Sequence, residues 1–206
     1  MKAIAVAAAL IALSVTSIES RAQAIYAGVR GGAGIPTGAF AEEATATGNA
    51  ALLHGANPGL GYGFDAGLGS TLLGIYASYD HIDFDCQSSS CNTSGKYNLT
   101  GMSGGVRVSV PLLPLLKPFA KAGVTYMQMK GSVSGSQITT EKRPGYEIGA
   151  GLEIPVFMGF FSLSPQIRRV SQKLEPVIAS SSATTGGKRA ADFYVFSIGL
   201  NIRSPF

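Results

Sequence analysis

Charge is scarce in this chain. Only 14% of its 206 residues are Asp, Glu, Lys or Arg, against about 25% in a typical soluble domain. Beyond the N-terminal segment there is also no apolar run of about 18 residues, which excludes a transmembrane helix. An apolar-leaning chain without such a helix must hide its apolar atoms in a core or turn them to lipid in a closed barrel. The net charge is a modest +4, and no Lys/Arg cluster interleaves with aromatics, so nucleic acid is not an expected partner. Histidine is limited to His54 and His81, and cysteine to Cys86 and Cys91. Two cysteines with no histidine nearby do not make a zinc site, and neither a metal nor a cofactor is expected.

The N-terminus, by contrast, carries an export signal. Lys2 is its charged start, Ala3 to Val15 a short apolar stretch, and Ala22-Gln23-Ala24 a small-x-small cleavage site. Cleavage is expected after Ala24, leaving residues 25–206 as one domain exported by the Sec route. In an exported chain the two cysteines are expected to pair. A Cys86–Cys91 bridge closes a loop of six residues and contributes about 2 kcal/mol.

Glycine is abundant, at 27 residues, and the mature sequence alternates. The last stretch reads FYVFSIGLNIRSPF: Tyr194, Phe196, Ile198, Leu200 and Ile202 fall on every second position, with Ser197, Gly199, Asn201 and Arg203 among the residues between. This period of two is that of a strand with one apolar face. The same alternation predicts strands over about 25–34, 58–68, 72–84, 97–110, 119–130, 144–154 and 160–171, eight in all. The nominal GxGxxA at Gly61, Gly63 and Ala66 lies inside one alternating run, not between a strand and a helix, so it is not a dinucleotide site. The prolines of PLLPLLKP, 111–118, make that segment an apolar turn.

The connections alternate between long and short, as in an outer-membrane barrel with long outside loops and short periplasmic turns. A strand of about ten residues tilted by about 45° spans some 23 Å, close to the apolar band of such barrels. Tyr62, Tyr79, Tyr126, Tyr146 and Tyr194 all fall on the apolar parity at or near the outside end of their strands, where a girdle of interfacial aromatics belongs. The expected fold is all-β: an eight-stranded antiparallel transmembrane up-and-down barrel after a cleaved signal peptide.

A cleaved signal, a first strand followed by PTGAFAE, eight alternating strands and the terminal Phe206 resemble the small outer-membrane β-barrel proteins of Gram-negative bacteria, the OmpA/OmpX-like and opacity-protein-like barrels. The resemblance covers the whole mature chain. It implies that Phe206 is read by the barrel assembly machinery; Ser204, where an apolar residue would continue the pattern, departs from it.

By parity the inward set contains Arg30, Asp65, Asp80, Arg107, Lys121, Glu147, Glu153, Gln166, Arg168, Asn201 and Arg203. Both signs in an interior barely wide enough for side chains predict mutual pairing, a structural plug rather than a selective pore. Ser78 and Asp80 point away from His81, so no triad forms and no enzyme is expected. Lys142, Arg143, Lys173, Lys188 and Arg189 place positive charge in the outside loops, facing lipopolysaccharide phosphates. The expected role is a monomeric surface scaffold of the outer membrane, held among its lipids, whose four loops carry interaction or support envelope integrity. The alternatives are a narrow porin-like channel and, further off, a soluble periplasmic lipocalin-like binder.

Overall fold

The computed structural model describes residues 24–42, 55–70, 72–86, 96–110, 116–133, 136–156, 160–178 and 189–205. Ten strands form in chain order: β1 Ala24–Thr37, β2 Gly59–Gly69, β3 Leu73–Asp85, β4 Lys96–Ser109, β5 Lys117–Val133, β6 Ser136–Thr140, β7 Arg143–Val156, β8 Phe161–Leu174, β9 Pro176–Ile178 and β10 Arg189–Pro205. Eight of them, all but β6 and β9, pair antiparallel in a ring. β1 bonds both β2 and β10, and the β4–β5 ladder closes the circuit. A closed ring leaves no unpaired strand edge, which is what a sheet in lipid requires.

The strands start and stop where the alternation says, but several run further. β5, β8 and β10 continue into stretches expected to be polar loop. The short strands β6 and β9 lie in those same stretches and extend the wall beyond β5 at the end that carries the long connections, here the outer end. Side-chain bonds secure the extension: Met129 N–H donates to Thr140 Oγ1 at 2.8 Å, and Gln128 donates to the Thr140 carbonyl at 3.0 Å.

The reason for the extra length is a reversal of polarity with parity unchanged. Along β3 the outward residues are first apolar, Leu73, Ile75, Ala77 and Tyr79, then polar, His81, Asp83 and Asp85. The inward ones run the other way: Tyr76, Ser78 and Asp80, then the buried Ile82 and Phe84. β4 switches outward between Met102 and Thr100, β5 between Tyr126 and Gln128, and β8 between Ile167 and Arg169. Leu60 on β2, 77% exposed above Tyr62, is an exception. Below the switch the barrel has lipid outside and polar groups inside. Above it, water is outside and the interior becomes an ordinary apolar core.

That core contains Ile82, Phe84, Tyr97, Leu99, Met127, Met129, Val170, Leu174, Phe193 and Val195. Phe40 caps it. After β1 the chain bends at Gly38, whose φ of +58° suits glycine, into a short 3-10 turn, 38–40. The turn swings the Phe40 ring edge-on to Phe84 at 5.3 Å and near Tyr97 at 6.0 Å. The Thr37 hydroxyl donates to the Asp192 carbonyl at 3.1 Å, tying the turn to β10. The PTGAF segment is thus a cork over the barrel mouth.

Candidate functional site

Beneath the apolar core lies a layer of buried charge. Arg30 on β1 pairs with Asp65 on β2 and with Asp80 on β3, at 2.7 Å for Asp80. Arg168 on β8 reaches Asp80 at 2.7 Å and Glu147 on β7 at 2.9 Å. Glu147 also accepts from the Tyr76 hydroxyl at 2.6 Å and the Ser103 hydroxyl at 3.2 Å. Ser78 and Ser103 share a hydrogen bond of 2.7 Å. The chain Asp65–Arg30–Asp80–Arg168–Glu147–Tyr76 crosses the lumen from wall to wall. Burial of so many ions is tolerable because each carboxylate meets a guanidinium, and Asp80 and Glu147 take further donors as well.

Nearer the inner end a second group forms around Glu153 on β7. It accepts from Arg107 at 2.6 Å and from Arg203, partly open at the inner mouth, at 3.0 Å. The Arg107 guanidinium lies 3.9 Å from the centre of the Phe119 ring and 5.1 Å from that of Tyr26. Lys121 is buried with its ammonium 5.0 Å from the Tyr76 ring centre. Asn201 donates to the Ser164 hydroxyl at 2.7 Å, and Gln166 is buried beside them. Among the described residues, spaces of about 10 Å³ lie beside Arg30 and Asp80 and beside Lys121 and Asp65. Each is the size of a single water molecule.

The nine charged residues expected in the lumen all belong to these two groups. Their parity located them; Tyr26, Tyr76, Ser78 and Ser103, which share that parity and complete the network, were not singled out. The apolar core above them was not anticipated either. Its sign was present in the polar outward positions His81, Asp83 and Asp85 interleaved with Ile82 and Phe84.

The five tyrosines lie on the outer wall just below the polarity switch. Tyr62, Tyr126 and Tyr146 are more than half exposed, and Tyr79 and Tyr194 are half-buried. Tyr79, Met102 and Tyr126 form one row across β3, β4 and β5. His81 stacks on Tyr62 with ring centres 4.9 Å apart and lies 3.2 Å from Asn98 and 3.5 Å from Asp83. It faces away from the buried Ser78 and Asp80.

Of the outer cations, Lys142 and Lys173 are exposed, whereas Arg143 is half-buried and paired with Glu141 and Glu175. Its charge is compensated and is not free for a phosphate. Arg189 opens β10. Lys188, His54, Cys91, Phe206, Ala22 and the segment 1–23 lie outside the described residues. Cys86 is described beside the apolar core, where it bridges to Ala56. Among the described residues no cluster of His, Cys, Asp or Glu is arranged to hold a metal ion.

A closed antiparallel ring with an apolar outer band, an aromatic row and ion pairs inside defines an outer-membrane β-barrel. The model of the outer membrane protein beta-barrel domain matches residues 5–202, and the chain belongs to that family. No curated protein matches its sequence. Among solved structures it resembles Neisserial surface protein A, NspA, at 13% identity over 87% of this chain and 96% of that one, with a TM-score of 0.59. It also resembles Ail, the attachment invasion locus protein of Yersinia pestis, at 10% identity over 89% of this chain and 99% of that one, with a TM-score of 0.53. At these identities the likeness is one of fold.

Proposed function

We propose that this barrel is a non-enzymatic surface scaffold of a Gram-negative outer membrane, with its loops as the working part. The observation that carries the reading is the filled interior: an ion-paired layer with an apolar core stacked on it. An interior committed to packing leaves binding to the loops, and loops held by a rigid wall are where recognition usually resides. A narrow channel is not favoured, because a conducting path needs a continuous wet lumen, and here ion pairs and an apolar core occupy it.

Several expectations complete the proposal. Sec export with cleavage after Ala24 delivers the chain, Phe206 serves as the assembly signal, and Cys86 with Cys91 closes the β3–β4 loop. The exposed Lys142 and Lys173 face the phosphates of lipopolysaccharide. The experiment is surface labelling of intact cells. Single cysteines placed at Ala46 and Ser181, in a Cys86→Ser/Cys91→Ser background, react with an impermeant maleimide under this reading, and one placed at Thr71 does not. Labelling at Thr71 alone would reverse the orientation, and a chain recovered in the soluble fraction would remove the membrane altogether.

A further inference from the structure

The lipid-facing wall carries two shallow grooves, and they differ at their outer ends. One, of about 780 Å³, crosses β1, β10, β8 and β7. Small residues Gly31 and Ala150 form its low points; Leu152, Ile167, Phe196 and Ile198 border it. A side chain built at Gly31 would meet nothing within 4 Å, so the hollow comes from a missing side chain rather than a distorted strand. The other, of about 570 Å³, lies over Ala27, Ala66 and Ala77 on β1, β2 and β3.

Directly above the first groove stands Arg169. The row Phe196, Ile167, Ala150 lies within the groove, and the next row out is Tyr194, Arg169, Ile148. Arg169 is therefore about 7 Å above the groove wall, and Lys173, on the same face of β8, about 13 Å further along. Both are exposed, and no described carboxylate lies within ion-pair distance of either. The second groove ends instead at Tyr79, with His81 and Asp83 beyond. An acyl chain fits either hollow, but only the first has a cationic head.

We infer that the β1–β10–β8–β7 groove, capped by Arg169 and Lys173, is a binding site for a phosphate-bearing lipid of the outer leaflet. The inference rests on the membrane reading above. An acyl chain fills the hollow that Gly31 and Ala150 leave, the Arg169 guanidinium takes a phosphate bidentately at the polarity switch, and Lys173 meets charge further out. Tyr194 flanks the headgroup at the interfacial level. A second copy of the barrel suits this face less well, since a two-fold seam along the groove would bring unpaired Arg169 side chains together.

The test uses the full chain purified from the outer membrane in mild detergent and titrated with diphosphoryl lipid A, with occupancy read by native mass spectrometry. Wild type takes up one lipid A in preference to phosphatidylcholine. Arg169→Gln/Lys173→Gln weakens that uptake about 25-fold, taking roughly a fivefold loss per cation, and Gly31→Phe, which fills the hollow with both cations intact, weakens it too. Lys130→Gln, a cation on β5 away from the groove, leaves it unchanged. Equal uptake of phosphatidylcholine, displacement by inorganic phosphate, unchanged uptake in Gly31→Phe, or an equal loss in Lys130→Gln overturns the site. So does a dimer that Gly31→Phe dissociates. Each protein is also run on a gel with and without boiling: loss of the heat-dependent mobility shift in wild type contradicts the barrel reading itself, whereas a normal shift with unaltered lipid uptake in the variants contradicts the site alone.

Discussion

Arg168 and Asp80 meet at 2.7 Å although their strands, β8 and β3, stand on opposite sides of the ring. A bond across the full diameter places a buried ion pair in the middle of the lumen. Arg30 holds the same carboxylate from β1 and Glu147 holds the same guanidinium from β7, so the bridge is braced at both ends. This cross-tie fixes the middle of the barrel as a strut.

The strut predicts a large penalty for half-removal. Arg168→Met leaves Glu147 without its guanidinium and Asp80 with only Arg30. It should cost about 3–5 kcal/mol, as for other broken buried pairs. The measurement is urea unfolding in lipid vesicles followed by gel mobility. A double-mutant cycle with Asp80→Asn should return a coupling of about 1–3 kcal/mol; strict additivity would mean that the pair does not act as a unit.

The apolar core above the strut predicts a different signature. Phe84→Ala opens a cavity among Phe40, Tyr97 and Phe193 and should cost about 3–5 kcal/mol. Its site lies beyond the membrane, so the loss should be the same in thin and thick bilayers. Strong dependence on bilayer thickness would place Phe84 in the lipid band instead.

The polarity switch locates the outer edge of that band. Ile198→Arg and Ala150→Lys, on the lipid face below the switch on their own strands, should each cost about 2–4 kcal/mol. Thr100→Arg, just above it on β4, should cost no more than about 1 kcal/mol. Equal costs at the three positions would remove the boundary.

Much of this was legible in the sequence because a strand's side chains alternate strictly. Parity alone put Arg30, Asp80, Glu147 and Arg168 on one surface, and closure of the ring brought them together. Partner choice was not legible. That Arg168 bonds Asp80, 88 residues away, depends on the ring's curvature and tilt, which no local pattern encodes. The outer core was missed for another reason. Ile82 and Phe84 lie inside the expected strand and keep inward parity, but they reverse in polarity, and a reading that assigns the inward face to polar groups throughout does not see a second, apolar layer. The compensation of Arg143 was not legible either, because Glu175, its partner, is brought close by the fold rather than by proximity in the chain. Arg169 was overlooked as an outward residue among apolar ones.

The expected pairing of Cys86 with Cys91 yields a redox prediction. With Cys86 and Cys91 paired, the exported protein should weigh two hydrogens less than the sum of its residues, and reduction should lower stability by about 2 kcal/mol or less. Free thiols titrating in the folded, exported protein would contradict the pairing.

The sealed interior is tested most directly by electrical recording. Protein first shown to be folded by its heat-dependent gel shift is inserted into a planar bilayer at neutral pH. The account predicts a flat trace, because the Arg168–Asp80 tie and the core beneath Phe40 close the lumen at two levels. Reproducible conductance steps from the wild-type barrel would contradict it and restore the channel reading.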